Sequence, residues 1–214
     1  MPDRSFRLLP LLALVALAVS APIAAALAAP EPAPVPKRWQ LDLKPGPLRV
    51  ASVELPGEGP RAFYYLTYSV INHTGEELDL VPSFELATDE GEVLLSGVGV
   101  PEVATRDIMA RLRDPLLEDQ IAVIGRIQQG VENARHGVVI WPANDLKIDE
   151  VRVFAAGFSG ENETITLTDP RTGQERRLVF RKTLMLAYAI PGDLRLELQK
   201  SRPLTEVNRR WIMR

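Results

Sequence analysis

The sequence contains no cysteine, and this absence removes several kinds of chemistry at once. Disulfides, thiolate metal sites, cysteine nucleophiles and lipid attachment at an N-terminal cysteine all require a thiol. The fold must therefore depend on its hydrophobic core, which is feasible for a chain of 214 residues. Because small secreted eukaryotic domains more often carry disulfides, the absence favours a bacterial source.

Histidines are scarce as well, since His73 and His136 are the only two. A zinc site usually takes three or four Cys, His or carboxylate ligands, and no H-E-x-x-H motif is present. We interpret His73 as a turn residue and His136 as a residue just before a strand. A P-loop and a dinucleotide fingerprint are also missing, so the sequence predicts no catalytic residue, no metal site and no cofactor.

Positive charge is not in excess, because 25 basic side chains face 28 acidic ones and the net charge is −3. Nucleic-acid binding proteins usually show a basic excess, so this balance argues against a nucleic-acid partner. It also gives no support for binding to an anionic membrane surface.

One long apolar run is present, and it lies at the N-terminus. Arg4 and Arg7 precede the run Leu8 to Val19, and Ala26-Leu27-Ala28 fits the A-x-A cleavage pattern. A membrane span needs about 20 residues, so we predict a cleavable signal peptide over 1–28 and no stable membrane insertion afterwards. The expected location is extracytoplasmic, either periplasmic or secreted; the alternative is an uncleaved N-terminal anchor.

Composition divides the rest of the chain into three parts. Residues 29–38 form a Pro/Ala-rich linker, which we expect to be extended. Residues 39–202 form the folded domain, and residues 203–214 form a basic C-terminal tail. Trp211 in this tail is expected to dock on the body of the domain, with a partner as the alternative.

Apolar residues alternate with polar ones in most of the domain, as expected for strands with one buried face. Tyr64, Leu66, Tyr68 and Val70 share one face, which favours core packing over an exposed aromatic platform for sugars. The same pattern continues in Arg176 to Tyr188, where Lys182 interrupts the apolar face. Further strands are predicted over 48–55, 137–141, 150–158 and 164–168, with turns at 72–75, 89–92 and 169–173.

The middle of the chain changes to helical spacing. Val103 to Arg113 and Leu116 to Val131 repeat apolar residues at helical intervals, and Pro115 separates them. We therefore predict a two-helix insertion at about 102–131. We expect it to cover one end or face of the domain; the alternative is a partner-binding groove or a dimer contact.

Two stretches of this pattern resemble bacterial exported immunoglobulin-like domains of uncharacterised function. They are Tyr65-Leu66-Thr67-Tyr68-Ser69-Val70-Ile71-Asn72-His73-Thr74-Gly75 through Pro82-Ser83-Phe84-Glu85-Leu86, and Gly137-Val138-Val139-Ile140-Trp141-Pro142 with Val151 to Glu161. The predicted fold class is accordingly mainly β, an immunoglobulin-like antiparallel β-sandwich with a two-helix insertion. The resemblance implies a fold and no chemistry.

Two weak motifs in the sequence resemble chemical sites. Ser159 lies in Gly157-Phe158-Ser159-Gly160-Glu161, which misses the G-x-S-x-G elbow at its last position, so we interpret it as part of a turn. Acidic residues cluster at 89–92 and 145–150 without the ligand spacing of a calcium loop, so we interpret them as solvated turn carboxylates.

These observations lead to one functional hypothesis and two alternatives. The leading hypothesis is an exported non-enzymatic domain with a structural or protein-interaction role in the bacterial cell envelope. Its partner would be a protein or an envelope polymer, and no particular oligomeric state is favoured. The alternatives are a carbohydrate- or ligand-binding module and a carboxylate-dependent hydrolase, which would need a cleft.

Overall fold

A computed structural model describes residues 30–169, 171–190, 194–195, 198 and 202–214. The predicted signal peptide, residues 1–28, lies outside the described residues. The strands, numbered along the chain, are β1 (Asp42–Leu55), β2 (Gly59–Asn72), β3 (Leu78–Leu80), β4 (Ser83–Thr88), β5 (Val93–Leu95), β6 (Leu117–Glu118), β7 (Gly125–Ile127), β8 (Gly130–Pro142), β9 (Glu150–Ala156), β10 (Asn162–Thr168), β11 (Glu175–Ala189) and β12 (Thr205–Met213). A helix, α1, spans Glu102–Leu112.

These strands form two main sheets, so the prediction of a mainly β fold is confirmed. The first sheet has the order β1-β2-β8-β6, with β6 parallel to β8 and the other pairs antiparallel. The second sheet runs β11-β9-β4-β5, with β10 and β12 also paired to β11. β3 and β7 make a separate pair. Neither main sheet closes on itself, and the arrangement is consistent with a β-sandwich.

The core lies between the two sheets and contains the predicted apolar faces. Leu66 and Tyr68 of the first sheet and Leu184 and Leu186 of the second belong to one buried cluster. Tyr68 also contacts Phe84, with ring centroids 4.8 Å apart, so aromatic packing joins the two sheets directly.

The predicted turn after β2 is also present, and its first residue has a structural role. Asn72 is fully buried, and its Oδ1 accepts the Thr74 N–H at 3.0 Å, as expected for a turn of this composition. Its Nδ2 donates to the carbonyl of Ile127 on β7 at 3.0 Å. Asn72 therefore ties the end of β2 to the two-stranded β3–β7 unit.

The helical insertion is confirmed in its first half only. Helix α1 buries Ala104 and Ile108 on the outer face of the first sheet, against a cluster that includes Phe63, Val138 and Ile140. Covering one face of the sandwich is the role that most amphipathic helices have.

The second predicted helix, Leu116 to Val131, is wrong, because this segment contains turns and the short strands β6 and β7. Asp119 accepts the N–H groups of Ile121 and Ala122 at 2.8 Å, and such local bonds compete with a helix. Gly125 and Gly130 then take positive φ values of 150° and 97°. The apolar residues of Leu116 to Val131 therefore follow helical spacing without forming the buried face of a helix.

One close approach between β2 and β8 depends on a glycine. Gly137 lies directly opposite Tyr68, and the Tyr68 ring covers the place where a Cβ of residue 137 would stand. Any side chain at this position must displace a ring that is itself packed between the sheets.

We therefore expect Gly137→Ala to lower the free energy of unfolding by about 1–3 kcal/mol, the usual cost of overpacking a core. Urea unfolding would measure the change. In a Tyr68→Ala background the same substitution should cost much less, because the clashing ring is absent. Equal costs in both backgrounds would contradict this explanation.

Candidate functional site

A buried ion pair lies at the point where β11 enters the core. Lys182, which interrupts the apolar face in the sequence, is only 3% exposed, and Glu161 is 8% exposed. The Lys182 Nζ lies 3.0 Å from the Glu161 Oε2. Sequence reasoning missed this pair; the only signal for it was a lysine at an inward position of an apolar strand face.

The backbone of Ala33, within the predicted linker, completes the pair. The Ala33 N–H donates to Glu161 Oε1 at 2.7 Å, and Lys182 Nζ donates to the Ala33 carbonyl at 3.1 Å. The ring of Trp211 lies 5.8 Å from the same ammonium group. Charge-assisted hydrogen bonds of this kind are stronger than neutral ones, so they anchor the proline-rich segment to the body of the domain.

These contacts change the acidity of Glu161. Burial alone would raise the pKa of its carboxyl, but the hydrogen bonds from Ala33 and Lys182 outweigh burial. The positive charges of Lys182 and Lys37 act in the same direction. The pKa of Glu161 therefore lies below its ordinary value, and the carboxylate is ionised at neutral pH.

Glu161 is positioned by a bulge between β9 and β10. Both strands pair with the same side of β11, but their registers differ, and residues 157–160 take up the difference. Gly157, with φ of 90°, lies against the carbonyl of Val81, so the bulge needs a glycine there. Ser159 is part of this bulge; its Oγ accepts the Glu161 N–H at 3.2 Å and lies 3.4 Å from the Trp39 carbonyl.

Beyond the bulge, β10 and the first half of β11 form a two-stranded ribbon, Asn162 to Arg181, which we call the arm. No residue of 162–168 or 171–181 is buried. The predicted turn is present at its tip, where Asp169 Oδ1 accepts the N–H groups of Arg171 and Thr172. These two hydrogen bonds lower the pKa of Asp169.

The arm has one apolar face. Ile165 lies opposite Leu178 and Leu167 lies opposite Arg176, so these side chains share a face with Phe180. The same face of β11 carries Leu184 and Leu186 further along, where it is buried in the core. The arm therefore extends the apolar inner face of the second sheet beyond the region that the first sheet covers.

A second apolar surface lies beside the edge strand β5. Leu95, Val98, Ile121 and Ile124 line a cleft of about 270 Å³ whose floor includes Phe84. Val98 and Ile121 are 63% and 70% exposed, and Ile121 belongs to the segment that was wrongly predicted to be the second helix. Clustered exposed apolar side chains of this kind are typical of contact surfaces.

The two histidines and the two acidic segments lie apart from the arm. His73 is exposed in the turn after β2, whereas His136 lies within β8, opposite Ser69, and not before the strand as predicted. The structure does bring the two acidic segments together, because the Asp149 N–H donates to Asp89 Oδ2 at 3.1 Å. Among the described residues, however, no three His, Asp or Glu side chains are placed to hold a metal ion.

Burial and the two acidic segments together raise the pKa of a core tyrosine, Tyr64. Burial raises the pKa of Tyr64, and the negative charges of Asp145, Glu92 and Asp89 raise it further. Tyr64 and Tyr68 are 1% and 3% exposed, so their rings are core residues, as the strand pattern predicts. Trp211 belongs to β12, which pairs with β11, and it packs against the core cluster.

The fold and these surfaces define a mainly β protein with stacked sheets, a protruding arm and an anchored proline-rich segment. No family model, curated protein or solved structure matches the chain. In the part of the chain that the structure describes, no helix has the length and apolar character needed to cross a membrane.

The buried pair predicts strong coupling between two substitutions. Lys182→Met leaves Glu161 buried without its cation, and we expect a loss of about 3–5 kcal/mol in the free energy of unfolding. Adding Glu161→Gln removes the uncompensated charge but keeps an acceptor for the Ala33 N–H, so the double variant should be more stable than Lys182→Met alone. Denaturant unfolding measures both; the exposed Lys44→Met is the control and should change stability by less than about 0.5 kcal/mol.

The lowered pKa of Glu161 predicts a pH dependence. A carboxyl whose pKa is lower in the folded state stabilises the fold above its unfolded pKa, near 4.5, and loses this contribution as the pH falls through the folded value. The stability difference between the wild type and Glu161→Gln should therefore be largest near neutral pH and shrink below pH of about 4.5. Urea titrations from about pH 7 to about pH 3 measure it. A difference that stays constant over this range would exclude the ionised pair as its cause.

Proposed function

We propose that this protein is an exported, non-enzymatic domain with a structural or protein-interaction role in the bacterial cell envelope. Its sandwich is of the immunoglobulin-like type, and a signal peptide over residues 1–28 directs it to the periplasm or the exterior. It binds another protein chain through the arm. Export is supported by the basic, apolar and small-residue order of the N-terminus.

The arm is the observation that carries this proposal. A two-stranded ribbon is only marginally stable in water, yet this one keeps Leu178 and Val179 exposed at 38% and 56%. Among the described residues, no strand pairs with the outer edge of β10, which ends the sheet. Natural proteins usually shorten, charge or cover such edges, so a long free edge with an apolar face is typical of a contact site.

The candidate chemical groups support a non-enzymatic role. The hydroxyl of Ser159 is engaged with the backbone at Trp39 and Glu161, which suits a bulge residue and not a nucleophile beside a base. Tyr64 and Tyr68 are buried, so neither ring is available to stack on a sugar. This arrangement favours a protein partner over the carbohydrate-binding alternative.

Shortening the arm tests the proposal. Replacing residues 164–179 by Asn-Gly would connect Glu163 directly to Phe180, which are a hydrogen-bonded pair of β10 and β11, through a two-residue hairpin turn. Because none of the described residues removed is buried, we expect a change in the free energy of unfolding of less than about 1 kcal/mol. We expect the cellular role, read as the phenotype of a deletion strain, to be lost.

Matched controls are Ser159→Ala, His73→Ala and His136→Ala, which should preserve the role. A photo-crosslinking residue at Thr166 should trap a protein, whereas one at the exposed Val93 on the edge strand β5, at the other end of the second sheet, should not. If the shortened protein retains the role, or if the crosslinks lead only to an envelope polymer, the protein-interaction proposal is rejected.

A further inference from the structure

Within the part of the chain that the structure describes, one backbone edge of β10 pairs with no other strand. The Lys182 N–H donates to the Glu161 carbonyl at 3.0 Å, and the Asp169 N–H donates to the Gln174 carbonyl at 2.9 Å. In an antiparallel ladder such bonds recur at every second residue. The backbone N–H and C=O groups of the odd-numbered residues of β10 therefore form the hydrogen bonds to β11. The N–H and C=O groups of Thr164 and Thr166 therefore point away from β11, toward the free edge.

This edge lacks the features that usually prevent strand pairing. The segment Asn162–Thr168 reads NETITLT, with no proline, no lysine and three β-branched threonines. Strand β12, at another edge of the same sheet, instead carries the charged residues Glu206, Arg209 and Arg210. Strand β10 is therefore the less protected of the two.

The sequence of β10 is complementary to itself in antiparallel alignment. When Ile165 is placed opposite Ile165 of a second copy, Thr164 lies opposite Thr166 and Asn162 opposite Thr168. The backbone groups that point away from β11, such as those of Thr164 and Thr166, then form hydrogen-bonded pairs between the two copies. Cross-strand threonine pairs are favourable, and no like charges lie opposite each other.

We infer that two copies of this chain associate through antiparallel pairing of β10 with β10, which joins their second sheets into one continuous sheet. The inference rests on the proposed function, because it names the partner of the arm as a second copy. Isologous contacts of this kind close the assembly at two chains.

Charge also favours a second copy as the partner. In this alignment Glu163 lies opposite Leu167 of the second copy, and Arg176 is the neighbour of Leu167 on the next strand. Two strand spacings amount to about 10 Å, which an extended Glu and an extended Arg pointing toward each other can bridge. Among the described residues neither Glu163 nor Arg176 has an ion-pair partner, and the two-fold symmetry forms the contact twice.

The expected dimer is reversible. A strand of 7 residues contributes less area than the roughly 1,200–2,000 Å² of a stable interface. The fraction of dimer should therefore rise with protein concentration, which suits a domain that is concentrated in an envelope compartment.

The absence of cysteine makes a direct test possible, because any introduced thiol is the sole thiol in the protein. Ile165 would form a non-hydrogen-bonded pair across the two-fold axis, with a Cα separation of about 4.5 Å that permits a disulfide. In the protein purified as it accumulates in its host, Ile165→Cys should crosslink to a dimer under mild oxidation. Val179→Cys, exposed but one strand further from the axis, should remain monomeric. Equal crosslinking of the two variants, or none in Ile165→Cys, overturns the inference.

A second pair of variants tests the hydrogen bonds. Thr166→Pro removes an outward N–H without removing a bond to β11, whereas Thr166→Val keeps that N–H. In sedimentation velocity, Thr166→Val should dimerise like the wild type and Thr166→Pro should stay monomeric; a dimer in both rejects β10 pairing. The shortened arm tests the cellular role separately from dimerisation. If the shortened protein loses the role but the wild type forms no dimer, only the identification of the partner as a second copy is rejected. A retained role in the shortened protein rejects the proposed function itself.

Discussion

Strand β11 is 15 residues long, and only part of it lies between the two sheets. Lys182 marks the boundary, because none of residues 175–181 is buried whereas residues 182–188 all are. An ammonium group at this position needs an ionised partner, since an unpaired buried charge costs several kcal/mol. The partner is Glu161, which the bulge at 157–160 places directly opposite Lys182 on the neighbouring strand.

This one interaction connects three parts of the chain that are distant in sequence. Ala33 supplies both backbone polar groups that the pair still needs, so the proline-rich segment is fixed at the base of the arm. Trp211 of β12 lies over the same ammonium group from the other side of β11. These contacts therefore hold the base of the arm in place, whereas the first sheet does not cover the rest of the arm, from Asn162 to Arg181. A surface held out from a fixed base is well suited to contact another chain.

Much of the fold could be predicted from local patterns. Tyr64, Leu66, Tyr68 and Val70 are all buried, because alternation along a strand fixes which side chains share a face. The turn at Asn72 was predictable because its side chain bonds to local backbone. The second helix was not predictable correctly, since its apolar residues follow helical spacing by coincidence while Asp119 and Gly125 favour turns. The sequence predicted the arm only as two strands and a turn. Local sequence does not determine whether another sheet covers these strands, so their exposure could not be predicted.

The sequence by itself determined the class of structure, the inward faces of the main strands and the positions of the tight turns. These features depend on residue type and on spacing within one segment. Only the tertiary structure decided that Lys182 meets Glu161 and Ala33, that β10 is an edge strand, and that the arm extends past the first sheet. Those outcomes depend on the register and order of strands far apart in the chain, which a pattern within one strand does not encode.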